Sequence, residues 1–443
     1  MKIYKTVEHI KYNDMTRKHY TILNTLLILI VAIMLIELIR DSMRAGDFIG
    51  YVNAGNAVLS HKNIYADYLN TWPPFFSLFS VLLAIGDNVS SFFIRFIWLL
   101  GSIISMYCIV SISVKMIFKK PLNLKGKGNG IMIQEPIIVI PLIIMLRFIM
   151  DNLANVQINI YMLLCSLLCI VFFIKKKYVW VGLFLGLTIS LKVYTLFFLF
   201  YFIYKREFKP VIWTVLFILL FNSICFLVFG FHQAIQYYQQ WISNVMPHSY
   251  IANHKNQSVF GTFLRFFTSE DPGRTIHVNI LYINPNTVKL ITDGVIAIAA
   301  IIPAILFRKK LKDTSAISSI LEYSLIFTLI PLLSPISWKA YFIFLWIPYF
   351  LLYTLLFRVN TQLKKTTLNL LKYLFWFSVV LTVCSTELIV GRDFSRLMEA
   401  YSAITIGTML LLFMQVYVAV RISKFDFNSI IFKTLPDKNK HQF

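Results

Sequence analysis

The sequence predicts an all-α polytopic membrane protein, and three observations carry that prediction. Of the 443 residues 58% are hydrophobic and the mean hydropathy is +0.71, outside the range of soluble domains. Apolar runs of the length a helix needs to cross a hydrocarbon core about 30 Å thick recur from end to end. The Lys and Arg residues, 42 against 20 Asp and Glu, gather in short clusters just beyond those runs. That distribution is a topology signal and argues against a nucleic-acid partner, despite a formal charge of +22.

The elements follow in order. The first twenty residues are basic and the apolar run after them lacks a small-residue cleavage site. We therefore read a cytoplasmic segment 1–20 and a retained helix at 21–39. Further spans are expected near 90–114, 131–149, 157–174, 211–229, 287–307, 317–334, 341–357, 369–390 and 400–420, followed by a cytoplasmic tail at 422–443. Placing the basic clusters in the cytoplasm puts both termini there and leaves two long outer loops, 40–89 and 230–286. Segment 74–86, PFFSLFSVLLAIG, is short for a span and reads as a helix at the outer interface, with a short tilted span as the alternative.

The stretch Tyr178 to Tyr204 is bounded by Lys175–Lys177 and by Lys205–Lys209, which the charge rule assigns to one side. It has too few residues to cross twice. A pair of short helices that enter and return satisfies both constraints, with Lys192 near the turn at a depth of roughly 18 Å for 1.5 Å rise per residue. A lysine at such a depth costs about 2.5–3.5 kcal/mol on insertion scales, so it should face a wet cavity, an anion or a neighbouring carboxylate or carbonyl.

The five cysteines (108, 165, 169, 225 and 384) lie in apolar runs without metal-ligand or redox spacing. His232, His248, His254 and His277 share the second outer loop at irregular intervals that match no zinc pattern. Neither a metal nor another cofactor is expected.

Candidate chemistry concentrates in the outer loops. The stretch AGDFIGYVNAGNAVLSHKNIYADYLNTWPP, residues 45–74, sets Asp47 behind Gly46 and ahead of a helix-like run. By position alone Asp47 is an N-cap, a role at which aspartate excels and which does not exclude catalysis. Asp41 lies between Arg40 and Arg44 and reads as an interfacial anchor. Trp and Tyr residues are abundant at membrane interfaces in any case, so among Tyr51, Trp72 and Trp338 only Trp338 stands out as a sugar-stacking candidate, because it sits in a motif.

Five fragments occur in order: Asp47-Phe48 with Tyr51, Tyr65 and Trp72-Pro73-Pro74; Val156-Gln157-Ile158-Asn159; Gly182 and Gly186 ahead of Leu191-Lys192; Asn256-Gln257-Ser258 with Gly261; and Leu333-Ser334-Pro335-Ile336-Ser337-Trp338. Together they resemble glycosyltransferase family 87 of the GT-C superfamily, bacterial polytopic transferases, often mannosyltransferases, that use a sugar carried on polyprenyl phosphate. Val156 stands where the family has glycine, and Ala340 where many relatives carry histidine.

The resemblance implies a GT-C-type fold over residues 21–421, with about 11–13 transmembrane helices and short juxtamembrane helices on the outer loops. It implies transfer of a hexose, with inversion, from a polyprenyl-phosphate sugar to a glycolipid or cell-envelope glycan acceptor, on the outer face of a bacterial plasma membrane. Asp47 would be the base. Lys192, Arg265 and Lys339, with Arg274 as a further outer cation, would meet the donor phosphate; Tyr51, Gln157, Asn159, Asn256, Gln257 and Trp338 would bind sugar or acceptor. A flippase of lipid-linked saccharides would share the helices but gives no reason for the Asp47 loop. A polymerase would rest on arginines of the later outer loops, where Arg265 and Arg274 lie.

Overall fold

The structure, a computed structural model, describes residues 17–426 apart from residue 68 and residues 125–129, 246–250, 274–275, 310 and 312–315. Residues 1–16, the tail from 427, Arg274 and His248 lie outside the described residues.

Helices carry nearly all of the described chain. In order they are α1 (Arg17–Ser42), α2 (Phe48–Leu59), α3 (Pro74–Phe118), α4 (Pro136–Ala154), α5 (Asn159–Ile174), α6 (Tyr178–Leu191), α7 (Leu196–Tyr204), α8 (Phe208–Phe229) and α9 (Phe231–Gln240). They continue with α10 (Val259–Phe267), α11 (Pro285–Leu306), α12 (Ala316–Leu333), α13 (Trp346–Phe357), α14 (Lys365–Val379), α15 (Glu387–Val390), α16 (Arg392–Ala400) and α17 (Ala403–Val420). Two small two-residue strand pairs, 122–123 with 131–132 and 360–361 with 425–426, pin loop ends.

Among the described residues eight helical runs are long and apolar enough to cross a bilayer: α1, α3, α4, α8, α11, residues 339–357, residues 365–384 and α17. Shorter apolar helices α5, α6, α7 and α12 pack among them. The chain is an all-α polytopic membrane protein. Each span expected between residues 21 and 420 falls largely on helix, although residues 131–132 pair as a strand and the run 369–390 is broken between α14 and α15. Segment 74–86 is helical too, and it is the first leg of α3, which bends at Ser90 where the backbone leaves helical geometry (φ −161°, ψ 106°).

The run from α5 to α8 decides the position of Lys192. Phe172 of α5 stacks on Trp180 and Phe184 of α6, while Asn159 meets Lys192, so α5 and α6 are antiparallel. Gly182, Gly186 and Ser190 of α6 face Trp213, Phe217 and Asn222 of α8 in ascending register, so α6 and α8 are parallel. The intervening α7 must therefore return, and Phe202 near its end lies against Phe173 (ring centroids 4.7 Å apart). Lys192 occupies the break in extended conformation (φ −149°, ψ 117°), and a turn at Val193–Thr195 starts the descent. At the opposite end of this hairpin Lys205 is buried and saturated by Glu322 (2.7 Å) and the carbonyls of Phe307 and Lys309.

Candidate active site

The site begins with a tight backbone contact. Gly46 adopts φ +50°, and a Cβ there would lie 2.9 Å from the carbonyl carbon and oxygen of Asn155. Only glycine satisfies both conditions. The Asp47 N–H then donates to the Asn155 carbonyl (3.0 Å), which docks the start of α2 on the end of α4.

Asp47 occupies the N-cap position of α2, yet its carboxylate makes no capping hydrogen bond. It accepts instead from Gln157 Nε2. Gln157 Oε1 accepts from Tyr51 Oη (3.2 Å) and Asn159 Nδ2 (3.4 Å), and Asn159 Oδ1 accepts from Lys192 Nζ (3.2 Å) and Tyr194 Oη (3.0 Å). Every donor in the chain from Lys192 through Asn159 and Gln157 points toward Asp47, so each bond polarises the next. Burial is the largest influence on Asp47 and raises its pKa from the ordinary aspartate value, against the opposing pull of Lys192, the Gln157 hydrogen bond and Lys255.

Lys192 is buried, and among the described residues no carboxylate lies within 4.0 Å of its Nζ. Its charge rests on the Asn159 oxygen and on the faces of Tyr341 and Tyr194, 5.1 and 5.9 Å from the ring centroids. Buried cations are ordinarily paired. This one is left available to an incoming anion.

The α4–α5 connection carries strain. Val156 sits at φ +50°, in the left-handed region that a β-branched residue avoids. Its N–H bonds to Leu153 O (3.0 Å) and the Gln157 N–H to Asn152 O (2.8 Å), the two bonds of a Schellman helix end. The backbone there favours glycine, and the valine side chain is fully buried in the main core, whose packing offsets the strain; the same turn carries Gln157 toward Asp47.

A second group of charges adjoins the first. Asp151, one turn before Asn155, feels Asp47, Lys339, Arg147 and Glu399. Glu399 of α16 pairs with Lys339 (3.0 Å) and Arg147 (3.5 Å), and Arg147 also donates to Thr382 O (2.6 Å) and Ser385 Oγ (2.7 Å). Asn152 Nδ2 donates to Ala340 O (2.8 Å), which ties α4 to the Ser337–Tyr341 segment carrying the half-buried Trp338. Sequence reasoning did not single out Arg147, Asp151, Tyr194, Tyr341, Lys255 or Glu399. A signal existed for two of them: Arg147 and Asp151 lie four residues apart inside an otherwise apolar span, where ionisable residues mark functional sites.

The other candidates are placed differently. Tyr51 is fully buried, with its ring enclosed by Phe48, Trp72, Phe76 and Trp98, so only its hydroxyl reaches the site. Asn256 spends its amide on Ile251 O, Pro335 O and the N–H groups of Ser258 and Ser337. Gln257 donates to His254 O and Glu399 O and accepts from Thr405. Arg265 is buried and fans out to Ala400 O, Asn253 O, Asn256 O and Ser402 Oγ at 2.6–3.1 Å. These three residues staple the second outer loop to the 335–337 segment and α16. The structure brings Asp47, Tyr51, Gln157, Asn159 and Lys192 into one connected set; Lys339 and Trp338 stand beside it.

A polytopic helical bundle in which a chain of buried amides and a buried lysine leads to a solvent-accessible acid at one end defines an integral membrane protein with a built polar site. The model of glycosyltransferase family 87 matches residues 70–335, more than half of the chain, and the chain belongs to that family: it is a membrane glycosyltransferase. The matched span takes in Gln157, Asn159, Lys192, Asn256, Gln257 and Arg265; Asp47 precedes it, and Trp338 and Lys339 follow it. No curated protein and no solved structure matches the chain significantly.

Proposed function

We propose that the chain transfers a hexose, mannose in the first instance, from a polyprenyl-phosphate donor to a glycolipid or cell-envelope glycan by a single inverting displacement. Asp47 takes the proton from the acceptor hydroxyl as its oxygen bonds to the anomeric carbon, and the bond from that carbon to the phosphate oxygen breaks. Polyprenyl phosphate leaves with the electron pair, and Lys192 stabilises the charge that develops on it. Lys339, paired with Glu399 beside Asp151, is a second cation for the donor phosphate. Gln157 and Asn159 hold the acid in line, and Trp338 offers the ring face on which a sugar can rest. The reaction faces the outside of a bacterial plasma membrane, with both termini in the cytoplasm: the basic clusters Lys175–Lys177 and Lys205–Lys209 lie across the length of α5 and α6 from Asp47.

The observation that carries this reading is the orientation of Asp47. An aspartate at an N-cap that declines to cap, is part-buried on its Gln157 side, and is wired to a buried lysine with no ion-pair partner among the described residues is arranged for proton transfer beside an anion. The test uses purified protein in proteoliposomes with labelled polyprenyl-phosphate sugars and envelope glycolipid. Wild type should release polyprenyl phosphate and label the acceptor together, while Asp47→Asn folds and does neither. Undiminished transfer by Asp47→Asn, or movement of intact lipid-linked sugar across the bilayer, would sink the proposal.

A further inference from the structure

Away from Asp47, at the far end of α2, a cavity of about 620 Å³ is lined by His61, Asn63, Gln233, Gln236, Tyr237 and Gln240, with Gln239 and Ser243 at its edge. Its size falls within the about 300–1,000 Å³ of small-ligand sites. Among the described residues its wall contains neither Lys, Arg, Asp nor Glu.

The wall joins the two outer loops, with His61 and Asn63 from the first and α9 from the second. Tyr237 Oη donates to Lys62 O (3.4 Å), Trp241 Nε1 donates to Thr71 O (3.3 Å), and the Tyr65 and Tyr237 rings meet edge to face at 6.2 Å. Tyr65 Oη in turn donates to Trp72 O (2.8 Å), and the Trp72 ring packs on Tyr51 at 4.9 Å. A continuous run of packed side chains therefore links the cavity to the Asp47 site across the length of α2, roughly 18 Å for twelve residues.

The chemistry of the wall selects its occupant. Each primary amide carries two donors and a carbonyl acceptor, which match hydroxyl groups that both give and accept. A phosphate-bearing headgroup would call for lysine or arginine, and an apolar partner for an apolar wall. On α9 the glutamines at 233, 236 and 240 recur at helical spacing, so one face of the helix presents a row of amides. The side chains of Gln239 and Gln240 make no hydrogen bond with the described residues.

From these observations we infer that the cavity between α9 and the end of α2 is a second saccharide site, which holds uncharged sugar units of the glycan acceptor remote from the hydroxyl at Asp47. The inference rests on the glycosyltransferase reading for its acceptor and deepens it: the acceptor is an extended glycan, several units long, and short acceptors leave the cavity empty.

The experiment compares wild type, Gln236→Ala/Gln240→Ala and Asp47→Asn in lipid nanodiscs, with neutral manno- and gluco-oligosaccharides of increasing length as probes. Binding is read by saturation-transfer NMR, and transfer to short and long acceptors by label incorporation. Wild type and Asp47→Asn should bind a long oligomer equally. The double variant should bind it about tenfold more weakly, with KM raised for long acceptors alone and kcat kept. Loss of binding in Asp47→Asn with none in the double variant, or equal KM effects on short and long acceptors, would overturn the second site. Binding without transfer by any form would remove the role of Asp47 and leave the cavity assigned.

Discussion

The polar network leading to Asp47 and the second outer loop use similar residue types for opposite ends. In the first, Lys192 is buried with one amide oxygen and two ring faces for company. In the second, Arg265 is buried with its guanidinium distributed over the carbonyls of Asn253, Asn256 and Ala400 and the hydroxyl of Ser402. Gln157 reaches a carboxylate, whereas Gln257 reaches two backbone carbonyls. Cations and amides in an outer loop therefore carry no function by type. What matters is whether the backbone has already used their hydrogen-bonding capacity, since a saturated donor has nothing left for a ligand.

This contrast is most directly broken at Asp47. Asp47→Asn should lower kcat by about 10²–10⁴-fold with an unchanged unfolding temperature, which steady-state transfer assays and thermal unfolding in detergent check together. Because burial raises the pKa of Asp47, and the base must be ionised, wild-type kcat/KM should fall on acidification at a pH above the ordinary aspartate value.

Arg265→Ala should act on the other side of the comparison. It strips donors from three buried carbonyls and should destabilise the protein by about 3 kcal/mol, while the molecules that remain folded keep their kcat. An unchanged unfolding temperature with a raised donor KM would make Arg265 a phosphate ligand and erase the distinction.

Lys192→Met keeps the volume of the side chain and removes its charge. Transfer should fall about 10–100-fold through loss of a charge-assisted contact. Since Lys192 lowers the pKa of Asp47, the acid limb of the pH profile should also move to higher pH. A fall in rate with an unmoved acid limb would separate the lysine from the aspartate. The smallest effect is expected at the helix end. Val156→Gly relieves left-handed strain worth about 1–2 kcal/mol but empties a fully buried core position worth about 2–3 kcal/mol, so the unfolding temperature should fall slightly with activity little changed.

The Schellman turn at Val156 shows how legibility ran out. Its Gln-x-Asn sequence pointed to this segment, but the left-handed turn that aims Gln157 depends on two backbone bonds to α4 that no spacing rule displays. Tyr51 was legible as a sugar- or acceptor-binding candidate, but the rings of Trp72 and Phe76 that enclose it and leave its hydroxyl toward Gln157 are brought there only by the packing of α2 on α3. Arg147 and Asp151 carried a signal in their intramembrane position that spacing rules for catalytic motifs pass over.

The sequence by itself determined the class of the protein, the order of its helices and the return of the chain at Lys192. These follow from hydrophobic length, charge placement and the demand that backbone polar groups be satisfied within the bilayer, all of which act locally. Tertiary structure alone decided which polar residues stay available. That choice depends on where carbonyls from α4, the 335–341 segment and α16 end up relative to each side chain, and those distances arise from contacts between residues a hundred or more positions apart.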